Sequence, residues 1–112
     1  MGQVSQQRNQ QYEGFILIQP GLEGRVFKSD LDQKEFHWVD YGPEINMETQ
    51  RAIGKKMSKL NEVTLAVWVQ VEGEMGSGGG FGHLNQYEKR LLIRKIIKFS
   101  SGPVEQYRAG YK

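Results

Sequence analysis

The stretch that decides the fold runs from Glu62 to Glu72 and reads EVTLAVWVQVE. Aliphatic side chains occupy every second position, at Val63, Leu65, Val67, Val69 and Val71. Thr64, Ala66, Trp68 and Gln70 fall on the opposite face. Strict alternation over about ten residues is typical of a β-strand and does not fit the 3.6-residue period of a helix. We therefore predict a long strand with one face in a hydrophobic core.

Further strands are predicted on both sides of this stretch. Residues 12–18 are apolar on both faces, and Gly14 among them permits a bend or bulge. Residues 35–41 are rich in aromatic side chains. A short strand at residues 25–29 lies between these two, and residues 90–99 form the last strand. Lys95 interrupts the apolar face of the last strand, which predicts a bulge or an exposed strand end there.

One helix is predicted, from Met47 to about Leu60. Asn46 can serve as its N-cap, and lysines are concentrated in its last turn, where backbone carbonyls favour cations. A single apolar stripe at helical spacing is formed by Thr49, Ile53, Met57 and Leu60. One stripe is enough to cover the open end of a barrel.

The order of three strands, one helix and two strands matches the OB-fold, a five-stranded Greek-key barrel. We predict a mainly β protein with this architecture over residues 12–99. The alternative is an α+β fold, an antiparallel sheet with one helix packed across it. Residues 1–11 are predicted to be a flexible Gln-rich leader, and residues 100–112 a flexible polar tail.

Composition excludes several classes of protein. The chain of 112 residues contains no cysteine, so disulfide frameworks, thiolate metal sites and cysteine nucleophiles are absent. The longest apolar run covers only Leu65 to Val69, far short of the roughly 20 residues of a membrane-spanning helix. The chain has only two histidines, which leaves few groups for general acid–base catalysis. None of its serines lies in the sequence context of a nucleophile elbow. We therefore predict that the protein is not an enzyme and binds no cofactor.

Charge is divided unevenly between the two halves of the chain. Residues 1–50 carry four basic and eight acidic side chains, whereas residues 51–112 carry eleven basic and five acidic ones. The halves are complementary, so much of this charge is expected to pair within one fold. The alternative is a basic binding face built from Lys89, Arg90, Arg94, Lys95 and Lys98 of the last strand.

Several strand motifs resemble the OB-like domains of small bacterial envelope lipoproteins of the NlpE type. The motifs are Glu13-Gly14-Phe15, Val26-Phe27, Phe36-His37-Trp38-Val39, Val67-Trp68-Val69-Gln70-Val71-Glu72-Gly73 and Arg90-Leu91-Leu92-Ile93-Arg94-Lys95-Ile96. Gly82-His83-Leu84-Asn85-Gln86-Tyr87 also resembles a turn of such proteins. The resemblance covers about four-fifths of the chain, and its motifs are mostly barrel-building positions.

The resemblance implies a periplasmic or outer-membrane-tethered module of the bacterial envelope that contacts a protein partner. The chain itself carries no signal peptide, lipobox or cysteine. Tethering would therefore require a lipidated N-terminus outside this chain, with the Gln-rich leader as a tether.

Candidate binding residues are concentrated in the third predicted strand. Phe36, His37 and Trp38, with Arg25, Lys28 and Lys34 nearby, form a pattern typical of an OB nucleic-acid face. Four carboxylates share the region, at Asp30, Asp32, Glu35 and Asp40. Phosphate contacts supply most of the affinity for nucleic acid, so this mixture favours a protein partner. A cytoplasmic OB-type protein that binds single-stranded nucleic acid is the alternative.

A glycine-rich segment, residues 73–82, separates the last two strands and is predicted to be a mobile hairpin connection. It lacks the Gly-Lys-Ser/Thr ending of a phosphate-binding loop, and a strand follows it rather than a helix. Phe81 and His83 are candidate contact residues there. A metal site would have to combine His37 and His83 with a carboxylate, and no short spacing supports one. No metal ligand is therefore predicted.

Overall fold

A computed structural model describes residues 9–18, 24–32, 35–81 and 87–110 of the chain. Within them the elements follow in the order β1 (Gln10–Ile18), β2 (Arg25–Lys28), β3 (His37–Tyr41), α1 (Met47–Lys55), β4 (Ser58–Lys59), β5 (Leu65–Phe81), β6 (Tyr87–Ser100) and α2 (Gly102–Gly110). The first eight residues, which make up most of the predicted leader, lie outside the described residues. Its last two residues, Gln10 and Gln11, already belong to β1.

Five of the strands close into a barrel. They neighbour one another in the order β1-β2-β3-β6-β5, and β5 pairs back onto β1. Every neighbouring pair is antiparallel except β3 and β6, which run parallel. The helix α1 lies between β3 and β5 in the sequence. This is the strand order of a small OB-like barrel, so the predicted fold is confirmed and the alternative of an open sheet is not.

The interior of the barrel holds the main hydrophobic core, here called the inner core. It is formed by Ile16, Phe27, Val39, Ile45, Ile53, Val67, Val69, Val71, Leu91 and Ile93. Three valines of the deciding stretch are fully buried there, as their alternation predicts. Val63 and Leu65 differ, since 59% and 40% of their surface is exposed. The backbone amide of Val63 donates to Asn61 Oδ1 at 2.9 Å, and this turn delays the start of β5 until Leu65.

The helix α1 begins as predicted and ends earlier than predicted. Asn46 Oδ1 accepts a hydrogen bond from the Thr49 amide at 2.8 Å, and Ile53 is buried in the inner core. The helix ends at Lys55 rather than near Leu60, because Ser58 and Lys59 pair with the start of β5 as the short strand β4. The sheet therefore takes over the backbone hydrogen bonds that a longer helix would have made.

The strand β1 needs glycine at position 14 for close packing. A Cβ atom there would lie 2.5 Å from the Lys28 carbonyl oxygen and 2.6 Å from the Phe27 ring. Pairing between β1 and β5 continues without a register shift through Gly14 and Val69. Gly14 therefore lets the Phe27 ring fill the barrel interior, and it does not mark a bulge.

The strands β5 and β6 form a long hairpin with three register irregularities, the third of which lies between Ser77 and Phe81. The register skips one residue at Ile97 and one at Arg94, which confirms the bulge predicted around Lys95. At the second irregularity a Cβ atom on Gly73 would lie 2.1 Å from the Leu92 carbonyl oxygen. Glycine is therefore required where the two backbones approach each other.

The glycine-rich segment is mostly strand and not a free connection. The strand β5 continues to Phe81, and Ser77 still pairs with Lys89 of β6. The prediction of a mobile hairpin over residues 73–82 is therefore wrong for residues 73–81. Residues 82–86 lie outside the described residues. Cross-strand pairing explains the difference, since backbone hydrogen bonds to β6 do not require side chains.

Residues 102–110 form α2, where the sequence predicts a flexible polar tail. Val104 of α2 is fully buried against the outer wall of the barrel. It completes a second hydrophobic group, here called the outer cluster, with Leu17, Val26, Leu31 and Ala66. The prediction of a flexible tail is wrong, because Val104 packs against the apolar outer face of β1, β2 and β5. In the described part of the chain, no helix has the length and apolar character needed to cross a membrane.

Candidate functional site

Strand alternation places His37 on the opposite face of β3 from Trp38. His37 points toward the Phe27 ring, with the two ring centroids 6.4 Å apart. Phe36 precedes the first residue of β3 and is 40% exposed, facing the ammonium group of Lys28. Trp38 lies on the opposite face of β3 from Val39, which is buried in the inner core. The three side chains therefore do not form one contact patch.

The indole ring of Trp38 is held on the outer wall of the barrel. Its Nε1 atom donates to Asp40 Oδ1 at 3.0 Å. The ring also lies against Gly24, where an added Cβ would come within 2.2 Å of the ring and where φ is +87°. Glycine is therefore needed at position 24 both for its backbone conformation and for the space it leaves to the ring. These contacts fix the orientation of the indole.

The basic side chains of β6 that lie beside Trp38 are paired with carboxylates. Arg90 Nη1 lies 3.4 Å from Asp40 Oδ2, and Lys89 Nζ lies 4.0 Å from Glu35 Oε2. Asp40 and Glu35 belong to the acidic first half of the chain and Lys89 and Arg90 to the basic second half. The expected pairing between the two halves is therefore present at this face.

Arg94 forms the shortest of the ion pairs between described residues on this face. Its Nη1 atom donates to Glu44 Oε2 at 2.8 Å, and its Nε atom donates to Glu74 Oε2 at 2.9 Å. The pKa of Glu44 lies below its ordinary value, first because of a backbone hydrogen bond at Glu44 itself and further because Arg94 donates to it. The pKa of Arg94 is raised by its hydrogen bonds to Glu44 and then Glu74.

We call this wall of the barrel the β3–β6 surface. It is defined by Trp38 and Asp40 of β3 and by Arg90, Leu92 and Arg94 of β6. Leu92 pairs with Asp40 across the two strands and is half-buried. The surface thus combines one fixed indole, one aliphatic side chain and cations whose charge is already balanced.

The other basic side chains predicted to form a nucleic-acid face contact aromatic rings instead of forming a groove. The Arg25 guanidinium lies 4.6 Å from the centroid of the Tyr41 ring, a cation–π distance. Burial raises the pKa of Tyr41, and the positive charge of Arg25 partly offsets that rise. Lys28 contacts the Phe36 ring, and Lys34 lies outside the described residues. The described residues therefore do not bring these basic side chains together in one groove.

The remaining candidate binding residues do not come together in one site within the described part of the chain. Phe81 pairs with Tyr87 at the far end of the β5–β6 hairpin, and His83 lies outside the described residues. His37 Nδ1 is buried and has no hydrogen-bond partner among the residues that the structure describes. In the described ranges, no group of three or more His, Asp or Glu side chains is arranged to hold a metal ion.

Sequence reasoning missed a cleft beside the outer cluster. It has a volume of about 440 Å³ and lies between β2, the turn before β5, and α2. Polar and aromatic groups line it, among them Lys28, Phe36, Asn61, Tyr107 and Arg108. The cleft exists only because residues 102–110 fold back as a helix. Two features of the sequence could have indicated that helix. Pro103 is typical of a first helical turn, and Val104 and Tyr107 are spaced three residues apart, as on one face of a helix.

Comparison with known proteins adds no further assignment. A scan against protein-family models, a search of curated proteins and a search of solved structures each return no match. The resemblance to NlpE-type domains therefore stays a prediction that rests on the strand motifs alone.

Proposed function

We propose that this chain is a non-catalytic binding module that contacts a protein partner through the β3–β6 surface. The observation that carries the proposal is the balanced charge of that surface around a fixed aromatic ring. Trp38 is held by Asp40 and Gly24, and Leu92 lies on the same wall. Fixed aromatic side chains with limited rotational freedom are common anchors of protein interfaces.

The same charge pairing argues against nucleic acid as the ligand of this surface. Affinity for a polyanion comes mainly from cations that contact phosphate and release counterions. Here Arg90 and Arg94 already contact carboxylates at 3.4 Å and 2.8–2.9 Å. A phosphate backbone would have to displace those carboxylates, which then remain beside it as repelling charges. A protein partner can instead use both signs of charge at its rim.

The proposed location is the bacterial cell envelope, with a protein partner of that compartment. Support for it comes from the resemblance of the strand motifs to NlpE-type domains. Fractionation of the source cells into cytoplasm, periplasm and membranes, followed by immunoblotting, tests this part separately. Detection in the cytoplasm alone would contradict it.

Site-specific photo-crosslinking tests the partner surface. The chain is prepared with p-benzoylphenylalanine in place of Leu92, and a control carries it in place of the exposed Lys56 at the end of α1. We expect a discrete crosslinked protein from position 92 and none from position 56. Excess unlabelled chain should abolish the product, whereas a folded Trp38→Ser chain should compete at least about tenfold less well. Equal products from both positions, or equal competition by both chains, would contradict the proposal.

Oligonucleotide titration tests the alternative function directly. Fluorescence of Trp38 and Trp68 is followed while single-stranded DNA or RNA is added at low and high salt. We expect no saturable change at low salt. Saturable quenching that weakens steeply with salt would instead identify a nucleic-acid-binding protein.

A further inference from the structure

The cleft beside the outer cluster holds a buried cation that has no counter-ion among the described residues. Lys28 is only 9% exposed, and its ammonium group donates to the Leu31 carbonyl oxygen at 3.0 Å. Its other close contact is the Phe36 ring, whose centroid lies 5.0 Å from Nζ. Among the described side chains, no carboxylate lies within 4.0 Å of this nitrogen. A buried charge is costly unless it is paired, so the ammonium group favours an anion in the cleft.

A second cation lies at the same cleft. Arg108 of α2 donates through Nη1 to the Lys59 carbonyl oxygen, which anchors the guanidinium against β4. That hydrogen bond uses one of the five N–H donors of the group. No carboxylate of the described residues forms an ion pair with Arg108. Lys28 and Arg108 therefore present two positive charges from different elements to one space.

One negative charge sits at the edge of the cleft. The Tyr107 hydroxyl donates to Asp32 Oδ1 at 2.7 Å. The described charges at the cleft thus amount to two cations, Lys28 and Arg108, and one carboxylate. An excess of one positive charge matches a monoanion better than a doubly charged phosphate monoester.

The rest of the lining is apolar or carries neutral hydrogen-bonding groups. Leu31 and Leu60 form part of the wall, Phe36 lies opposite Lys28, and Asn61 supplies an amide. A volume of about 440 Å³ lies in the usual range for small-ligand sites. An anion that carries an apolar group would therefore fill the cleft better than a small inorganic ion.

We propose that this cleft binds a carboxylate attached to an apolar group, with Lys28 and Arg108 contacting the carboxylate and Leu31, Leu60 and Phe36 contacting the apolar part. The carboxylate can belong to a free small acid or to the C-terminus of a peptide. The site is separate from the β3–β6 surface, so it does not depend on the function proposed above. Its failure would leave that function untouched.

Matched pairs of probes test the proposal on the whole chain. Hydrocinnamate is compared with its uncharged amide, and N-acetylated Gly-Gly-Phe-Leu with a free C-terminus is compared with its amidated twin. Proton–nitrogen correlation spectra follow the backbone amides of Lys28, Leu31, Asn61 and Arg108. We expect saturable shifts with at least one acid and at least about tenfold weaker binding of its amide, since a hydrogen bond to a charged group contributes about that factor. The acid that binds more tightly identifies the source of the carboxylate.

Two variants test whether Lys28 and Arg108 contact the carboxylate of the bound acid. Lys28→Met keeps the apolar stem and removes the charge, and Arg108→Gln removes the exposed guanidinium without altering the buried wall. Each should weaken binding of the acid about tenfold or more. Lys98→Met, an exposed position on β6, is the matched control and should bind as the unaltered chain does. Should Lys28→Met fail to fold, Arg108→Gln decides alone.

Three results would overturn the proposal. The first is the absence of saturable shifts with either acid, and the second is equal binding of the acids and their amides. The third is unchanged affinity in the folded Lys28→Met and Arg108→Gln variants. Phenyl phosphate provides a test of the charge argument, because tighter binding of this dianion than of hydrocinnamate would contradict a monoanion site.

Discussion

The inner core and the outer cluster are both formed by buried hydrophobic side chains, but they are assembled from different kinds of sequence signal. The inner core draws runs of alternating residues from the barrel strands, as in Val67, Val69 and Val71. The outer cluster instead collects one buried residue from each of five places along the chain. Repetition within one element makes the first recognisable from sequence. The second becomes visible only when the fold brings its members together.

The two regions also differ in what holds them closed. The inner core is surrounded by a continuous ring of paired strands. The outer cluster is covered by α2, whose anchors are the buried Val104, the Tyr107 hydroxyl on Asp32 and the Arg108 guanidinium on the Lys59 carbonyl. A cover held by few contacts opens locally more easily than a closed sheet. The comparison therefore predicts unequal stability in the two regions.

The largest expected effect is in the inner core. Ile93→Ala removes a fully buried side chain from the barrel and leaves a cavity that closed strands cannot collapse. We expect a loss of about 3 kcal/mol in the free energy of unfolding, measured by urea denaturation. Ile97→Ala is the matched control on the same strand, because Ile97 is 37% exposed, and it should cost under about 1 kcal/mol. Equal losses would show that the register of β6 is wrong.

A smaller effect is expected in the outer cluster. Val104→Ala should lower the free energy of unfolding by about 1.5 kcal/mol, since two buried methyl groups are lost beneath a helix that can adjust. Native-state hydrogen exchange should be faster in α2 than at Val67 and Val69 of β5, both in the unaltered chain and in the variant.

The exposed Gln106 of the same helix provides the control for this variant. Gln106→Ala should change neither the free energy of unfolding nor the exchange rates by a measurable amount. Equal protection of the amides in α2 and in β5 would show that the two regions open together, which would contradict the unequal stability predicted here.

The smallest effect is expected at the surface ion pairs, which touch neither core. Because the folded pKa of Glu44 is lowered, its ionised form contributes stability above the unfolded pKa of 4.5, and that contribution is lost as the pH falls through the folded pKa. Arg94→Gln should therefore be less stable than the unaltered chain at pH 7, and this difference should shrink in acid and in high salt.

Urea denaturation between pH 7 and pH 3 measures this difference. Lys95→Gln on the same strand is the control, since Lys95 is exposed and forms no ion pair with the described residues. It should follow the unaltered chain at every pH. A constant difference for Arg94→Gln across the pH range would exclude the ion pair as its cause.

Most of the barrel was predictable because its signals are local and periodic. The alternation of Val67, Val69 and Val71 identified a strand, and Asn46 marked the start of α1. The end of α1 was not predictable, since Met57 and Leu60 keep helical spacing while Ser58 and Lys59 pair with β5. Tertiary pairing overrode the local pattern there.

The candidate sites were less predictable than the fold. Phe36, His37 and Trp38 are adjacent in sequence, but each faces a different environment. The pairing of Arg90 and Arg94 with distant carboxylates followed from the charge division between the halves, although the particular partners did not. The cleft at Lys28 could not be found, because Arg108 lies in a segment that reads as a polar tail.

The parallel pairing of β3 with β6 has a consequence for how the molecule folds. Asp40 and Arg90, which meet across these strands, are separated by 50 positions along the chain. Such non-local pairing slows folding relative to local hairpins, and until β6 arrives the meander of β1, β2 and β3 presents an unpaired edge. Open edges recruit other chains, so refolding yield should fall as protein concentration rises. Dilute refolding is therefore the condition under which this barrel forms most completely.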